Sequence, residues 1–258
     1  MVFPIGDDNT GRVRTPYVTL TLIALNVLVF AFLQGLGTNE RFTYAFSTVP
    51  YEIRTGEDVA RDVTVELGDE RATIPLQPTP GTVYFTLITS MFMHGSLMHL
   101  LGNMLFLWIF GDNVEDDLSH GRYFAFYLVT GLVASLSHVV STFVLGDNPF
   151  IPSLGASGAI SGVMGGYLVL HPHRRVRVIM FRMLTTAPGY VAVGLWFVFQ
   201  LISAFGVIGQ GPEAGGGVAF MAHIGGFVAG VVLVKLFAAG NRPPDATHRG
   251  LVTPRRHS

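Results

Sequence analysis

Gly155-Ala156-Ser157-Gly158-Ala159-Ile160-Ser161-Gly162-Val163-Met164-Gly165-Gly166-Tyr167-Leu168-Val169-Leu170 is an uncharged, largely apolar run with a serine between glycines near its start. Its helical part, 157–170, is shorter than the roughly 20 residues a helix needs to cross a hydrocarbon core. Gly158, Gly162, Gly165 and Gly166 make it a poor lipid-facing surface and a good one for close helix contact. The run therefore predicts a short helix enclosed by other membrane helices. Apolar stretches at 17–36, 97–110, 123–145, 188–208 and 218–239 are available to enclose it. Half of the 258 residues are apolar, only 13% are charged, and the mean hydropathy is +0.48, values that belong in a bilayer. The expected fold is an all-α polytopic membrane protein: a six-transmembrane-helix bundle whose fourth helix is short and buried.

Working outward, residues 1–16 form a cytoplasmic N-terminal segment, 17–239 the membrane domain, and 240–258 a Pro-, Arg- and His-containing cytoplasmic tail expected to be disordered. No small-residue cleavage site follows the first apolar run, so that span is expected to be retained. Six spans put both termini on one side. With the termini inside, 12 of the 16 basic residues fall in inside segments or, for Lys235, at the inner end of the sixth span, and the other four, Arg41, Arg54, Arg61 and Arg71, lie in one long loop whose charge is a weak vote. That loop belongs to a hydrophilic external insertion, 37–80, where 62–76 alternates apolar and polar residues around Gly68-Asp69 and predicts a hairpin. The basic asymmetry suits a multi-pass plasma membrane protein. A net charge of −1 suggests no nucleic-acid partner, and the absence of cysteine rules out disulfides and thiolate chemistry.

Ser157 stands at the start of a helix, where free amides and the positive end of the dipole favour an anion. It is a candidate nucleophile with an oxyanion site beside it; alternatively it is simply an N-cap. His223, in Ala222-His223-Ile224-Gly225-Gly226, lies within the sixth span, where an ionisable side chain marks function or packs against a neighbouring helix through a hydrogen bond. Ala222, Gly226 and Gly230 form a small-residue stripe, and His223 lies about 60° from Gly226 and 20° from Gly230 around the helix. The two glycine-lined helices are therefore predicted to touch, bringing Ser157 to His223. Upstream, His94, His99 and Asn103 lead into the second span, with His99 and Asn103 one helical turn apart and able to aim donors at an oxyanion. His94 and His99 could instead join His223 as metal ligands, but no H-E-x-x-H motif is present and no metal or cofactor is expected. All 17 Asp and Glu residues lie outside the predicted spans. A Ser157–His223 mechanism would thus be a dyad, with the imidazole held by packing or a neutral hydrogen bond.

His94-x4-His99-x3-Asn103, Gly155-Ala156-Ser157-Gly158 and Ala222-His223-Ile224-Gly225-Gly226 together resemble the rhomboid family of intramembrane serine proteases in motif, order and placement. The segment Gly111-Asp112-Asn113-Val114-Glu115-Asp116, expected as a loop, is similar too. The resemblance implies that Ser157 attacks a peptide carbonyl with His223 as base, and that His99, Asn103 and the Ser157 amide hold the oxyanion. His94, Gly155, Gly158 and Gly226 would support the site. Substrates would be single-span membrane proteins cut in or near the bilayer; the alternative is a catalytically silent adaptor that binds transmembrane helices. The chain departs from the family at Ser161, where a tyrosine often stacks on the histidine, and lacks the Trp-Arg pair common in the first external loop. Gly215-Gly216-Gly217, ahead of the sixth span, suggests a movable lid.

Overall fold

A computed structural model describes residues 2–67, 70–180, 183–210 and 220–241, with side chains on 2, 67, 70 and 203–210 excepted. The Gly68-Asp69 turn, the Gly215–Gly217 stretch and the tail from 242 onward lie outside the described residues.

The chain opens with strand β1 (Val2–Asp7) and helix α1 (Tyr17–Leu28), which continues as a wider helical turn over Val29–Leu33. Short helices α2 (Glu40–Ala45) and α3 (Pro50–Thr55) follow, then an antiparallel pair, β2 (Asp62–Leu67) and β3 (Glu70–Pro75). The pair sits over a small cluster of Val49, Val59 and Leu76. After α4 (Thr86–Thr89) come the long helices α5 (Leu97–Leu118) and α6 (His120–Leu145), then α7 (Ser157–Leu170). Strands β4 (Arg175–Met180) and β5 (Met183–Pro188) lead into α8 (Gly189–Gln210) and α9 (Phe220–Ala238).

By length and composition, α5, α6 and α9 are each sufficient to cross a membrane, whereas α1, α7 and the described apolar part of α8 are shorter. The outer surface is apolar, as lipid contact requires: Val144 is 76% exposed and Leu236 70%. Helix α7 is the core, with every residue from Gly158 to Tyr167 buried. Its glycines are there for contact. A Cβ on Gly226 would meet the carbonyl oxygen of Gly158, one on Gly230 that of Gly162, and one on Gly165 the carbonyl of Phe227. Helices α7 and α9 thus meet backbone to backbone, and no residue larger than glycine fits those positions.

Two expectations need correction. Gly111–Asp116 is not a loop: α5 runs on to Leu118 and carries Asp112, Glu115, Asp116 and Asp117. These acids are tolerated because the start of the chain folds onto them. Glu115 accepts hydrogen bonds from the Val18 and Thr19 amides, both at 2.8 Å, and from Thr19 Oγ1 at 2.7 Å, so it caps the first turn of α1. Asp116 accepts from the Val13 and Arg14 amides, and Arg12 pairs with Asp112.

Residues 1–16, in turn, are not merely a lead-in. Strand β1 joins β4 and β5 in an antiparallel sheet of order β1-β4-β5, pairing Val2 with Met180 and Asp7 with Val176. The segment after α7, expected only as a basic inside loop, is therefore a hairpin. Arg175-Val176-Arg177-Val178 alternates exposed and buried, the period-two pattern of a half-buried strand. Asp7 accepts from Tyr167 Oη at 3.1 Å and from Asn113 Nδ2 at 2.5 Å, tying β1 to the ends of α7 and α5. Burial, helped by nearby Asp112, raises the Asp7 carboxyl to about 6.

Candidate active site

Ser157 is the first residue of α7, and Ala156 occupies the cap position without a side-chain capping bond. The N-cap alternative for Ser157 is thereby overturned. Its hydroxyl faces α9 instead, where Oγ lies 2.8 Å from His223 Nε2. This contact follows from the helix packing. Gly158 and Gly226 allow the two helices to approach until a one-carbon side chain on one reaches an imidazole on the other.

The loop before Ser157 is shaped by Gly155, whose φ of +124° disfavours any L side chain. Space forbids one as well, since a Cβ there would lie 2.8 Å from His99 Cε1 and 2.9 Å from His99 Nε2. The His99 ring is therefore packed directly on the turn that presents Ser157. The Gly95 amide approaches His99 Nδ1 at 3.5 Å, the acceptor arrangement that leaves the proton on Nε2. Asn103, one turn further along α5, is buried, and its Nδ2 has no hydrogen-bond partner among the described residues. Ser157, His223, His99 and Asn103 all line one cavity of about 590 Å³, walled on its apolar side by Met98, Phe106, Met164 and Trp196.

His94 is not in that wall. It is fully buried behind His99, with ring centroids 5.1 Å apart and edge to face, and both its ring nitrogens lack partners among the described residues. Its backbone is clamped by Gln34, which accepts from the His94 amide at 3.0 Å and donates to its carbonyl at 2.9 Å. His94 thus supports the turn that carries His99. Among the described residues no cluster of three His, Cys, Asp or Glu side chains is arranged to hold a metal.

The model of the Rhomboid domain matches residues 81–240, a stretch that contains every one of these cavity residues. The chain belongs to the rhomboid family. Among its relatives, Rhomboid protein 1, mitochondrial, of Saccharomyces cerevisiae is 32% identical over 157 residues, 61% of this chain and 43% of that protein. The human Presenilin-associated rhomboid-like protein, mitochondrial, is 33% identical over 103 residues, 40% of this chain and 27% of its own length. Rhomboid protease GluP of Bacillus subtilis is 31% identical over 156 residues, 59% of this chain and 24% of that protein. The matched stretches cover less than half the length of these relatives. The rhomboid match leaves outside it β1, α1 and the 37–80 insertion.

Two residues of this rhomboid site, Gln200 and Trp196, belong to no motif in the sequence. Gln200, on α8, is buried and places Oε1 2.9 Å from His223 Nδ1. Trp196, one turn earlier, stands 6.1 Å from the His223 ring at 44°. Beyond Ser157, the side chains that meet the His223 ring here thus include two from α8, while Ser161 donates its hydroxyl to the Ser157 carbonyl at 2.6 Å. The signal was available: a lone amide inside the apolar stretch 188–208 is costly in a bilayer unless something bonds it.

Proposed function

We propose that this rhomboid-family protein is an intramembrane serine endopeptidase, acting through a Ser157–His223 dyad on the transmembrane segments of single-span membrane proteins. The observation that carries the reading is the 2.8 Å approach of His223 Nε2 to Ser157 Oγ, in a cavity that Asn103, with its unpartnered Nδ2, also lines. In this reading Nε2 takes the hydroxyl proton as Oγ adds to the scissile carbonyl carbon. The resulting oxyanion is held by the free Ser157 amide at the helix start, the Asn103 amide group and His99 Nε2–H. Collapse breaks the C–N bond, His223 returns the proton to the leaving amine, and water then releases the acyl group by the same route. No step draws on a metal or a cofactor.

The protein would span a plasma membrane six times, with both termini cytoplasmic and the 37–80 insertion outside. The bias of basic residues toward one side supports that orientation. A protease among the relatives, Rhomboid protease GluP, supports the reaction class.

The test is labelling of the detergent-solubilised full chain with a fluorophosphonate, followed by cleavage of a generic transmembrane substrate in liposomes. Wild type is expected to label, Ser157→Ala and His223→Ala to lose labelling, and cleavage to survive EDTA. A wild type that neither labels nor cleaves in detergent or liposomes would favour the adaptor that only binds transmembrane helices.

A further inference from the structure

The imidazole of His223 is engaged at both nitrogens: Nε2 at Ser157 Oγ, 2.8 Å, and Nδ1 at Gln200 Oε1, 2.9 Å. These contacts have a chemical consequence. A neutral imidazole carries one N–H and one lone pair, while an amide oxygen offers only lone pairs. The hydrogen must then sit on Nδ1, which leaves the lone pair of Nε2 facing the serine hydroxyl. In the opposite tautomer two acceptors would confront each other at Gln200 and Nε2–H would point at Ser157, where a base is needed.

We infer that Gln200 is the positioning residue of this site, setting the tautomer and rotation of His223 through a neutral amide. The inference rests on the serine-protease reading and adds a third, uncharged member on a separate helix. Burial argues for the same role. Gln200 is 7% exposed, whereas its neighbours Phe199 and Ile202 are 54% and 64% exposed on the apolar outside of α8. The one polar side chain between them is turned inward onto His223. An amide in a membrane helix is costly unless bonded, and here its bond lies on the reacting axis.

Gln200 also continues to accept when His223 becomes an imidazolium, because the Nδ1 proton stays where it was. It supplies a dipole and no charge. Its removal is therefore expected to cost about tenfold in rate, in keeping with one neutral hydrogen bond, and far less than the ~10⁴ lost when a triad carboxylate is replaced.

The experiment uses the full chain in detergent micelles with 15N-labelled histidine. The His223 imidazole signals are identified among the 9 histidines by comparison with His223→Gln. Wild type should show His223 protonated on Nδ1. Gln200→Met, similar in length without the amide acceptor, should mix the tautomers and slow fluorophosphonate labelling about tenfold at unchanged melting temperature. Gln200→Glu, which retains an acceptor at the same reach, should restore the Nδ1–H tautomer and most of the labelling rate. Protonation on Nε2 in wild type would overturn the inference, as would a Gln200→Met protein with unchanged tautomer and rate. If Gln200→Met fails to fold, the wild-type tautomer and the Gln200→Glu rate still decide. A wild type with the Nδ1–H tautomer that never labels would sink the protease reading and leave the role of Gln200 in orienting His223 standing.

Discussion

Helix α9 carries the His223 imidazole and helix α8 touches it through Gln200, and the two helices are held in opposite ways. Helix α9 meets α7 through backbone: Gly226 and Gly230 lie against the carbonyls of Gly158 and Gly162. Helix α8 is held through side chains. Phe197 stacks on Phe227 at 4.1 Å, Trp196 reaches Phe106 at 6.4 Å, and a Cβ added to Gly194 would meet nothing within 4 Å. Contacts between backbones have one geometry, because a main-chain carbonyl has no rotamers to exchange. Contacts between aromatic rings have several of similar energy. The Ser157–His223 distance is therefore set by the stiffer interface, and the orientation of His223 by the softer one.

The sharpest way to break this contrast is Gly230→Val. Its added carbons would run into the Gly162 carbonyl, and overpacking of this kind costs about 3 kcal/mol. The expected result is a large drop in melting temperature in detergent together with loss of fluorophosphonate labelling. Wild-type melting would mean that α7 and α9 can part without harm, and the stiff interface would have to be sought elsewhere.

A smaller, pH-dependent effect tests how the far end of α7 is pinned. Asp7 accepts from Tyr167, and its carboxyl is raised from 3.8 to about 6, chiefly by burial. The folded protein thus holds this proton more tightly than the unfolded chain. The stabilisation is fully present below about pH 4 and is lost as pH rises through about 6. Asp7→Asn removes this dependence. Measured against the variant, wild-type melting temperature should fall between pH 4 and 6 and run parallel above. A constant difference across that range would show that Asp7 does not titrate in this window.

The least effect is expected from Gly194→Ala on α8. With open space around the position, the variant should melt as wild type does or gain up to about 1 kcal/mol from helix propensity. A clear loss of stability there would show that α8 is packed as tightly as α9, and the contrast would collapse.

Much of the site was legible because membrane sequence leaves little ambiguity about an isolated polar group. Ser157, His223, His99 and Asn103 stood out against apolar surroundings, and the glycine stripes predicted which two helices would touch. Gln200 is hidden in a stretch whose length and apolarity announce only a span, and the partner of a lone amide cannot be seen along one helix. The run of acids from Asp112 to Asp117 misled for a related reason. Read locally it is a loop, and it is helical only because Arg12, Arg14 and the first turn of α1 satisfy it from about 100 residues away. The β1-β4-β5 sheet is hidden twice over, by a mixed-composition first strand and by arginines that resemble topological markers while their period-two spacing marks a strand.

That sheet sets a timetable for the chain. Residue 2 pairs with residue 180, so at a synthesis rate of about 5–20 residues per second roughly 10–35 s separate the making of the first strand from that of its partner. Throughout that interval the hydrogen-bonding edge of β1 has no ladder to join, and an open strand edge invites wrong partners. The strand can dock only after α7 has been made, so a segment synthesised before every helix of the bundle is among the last to settle.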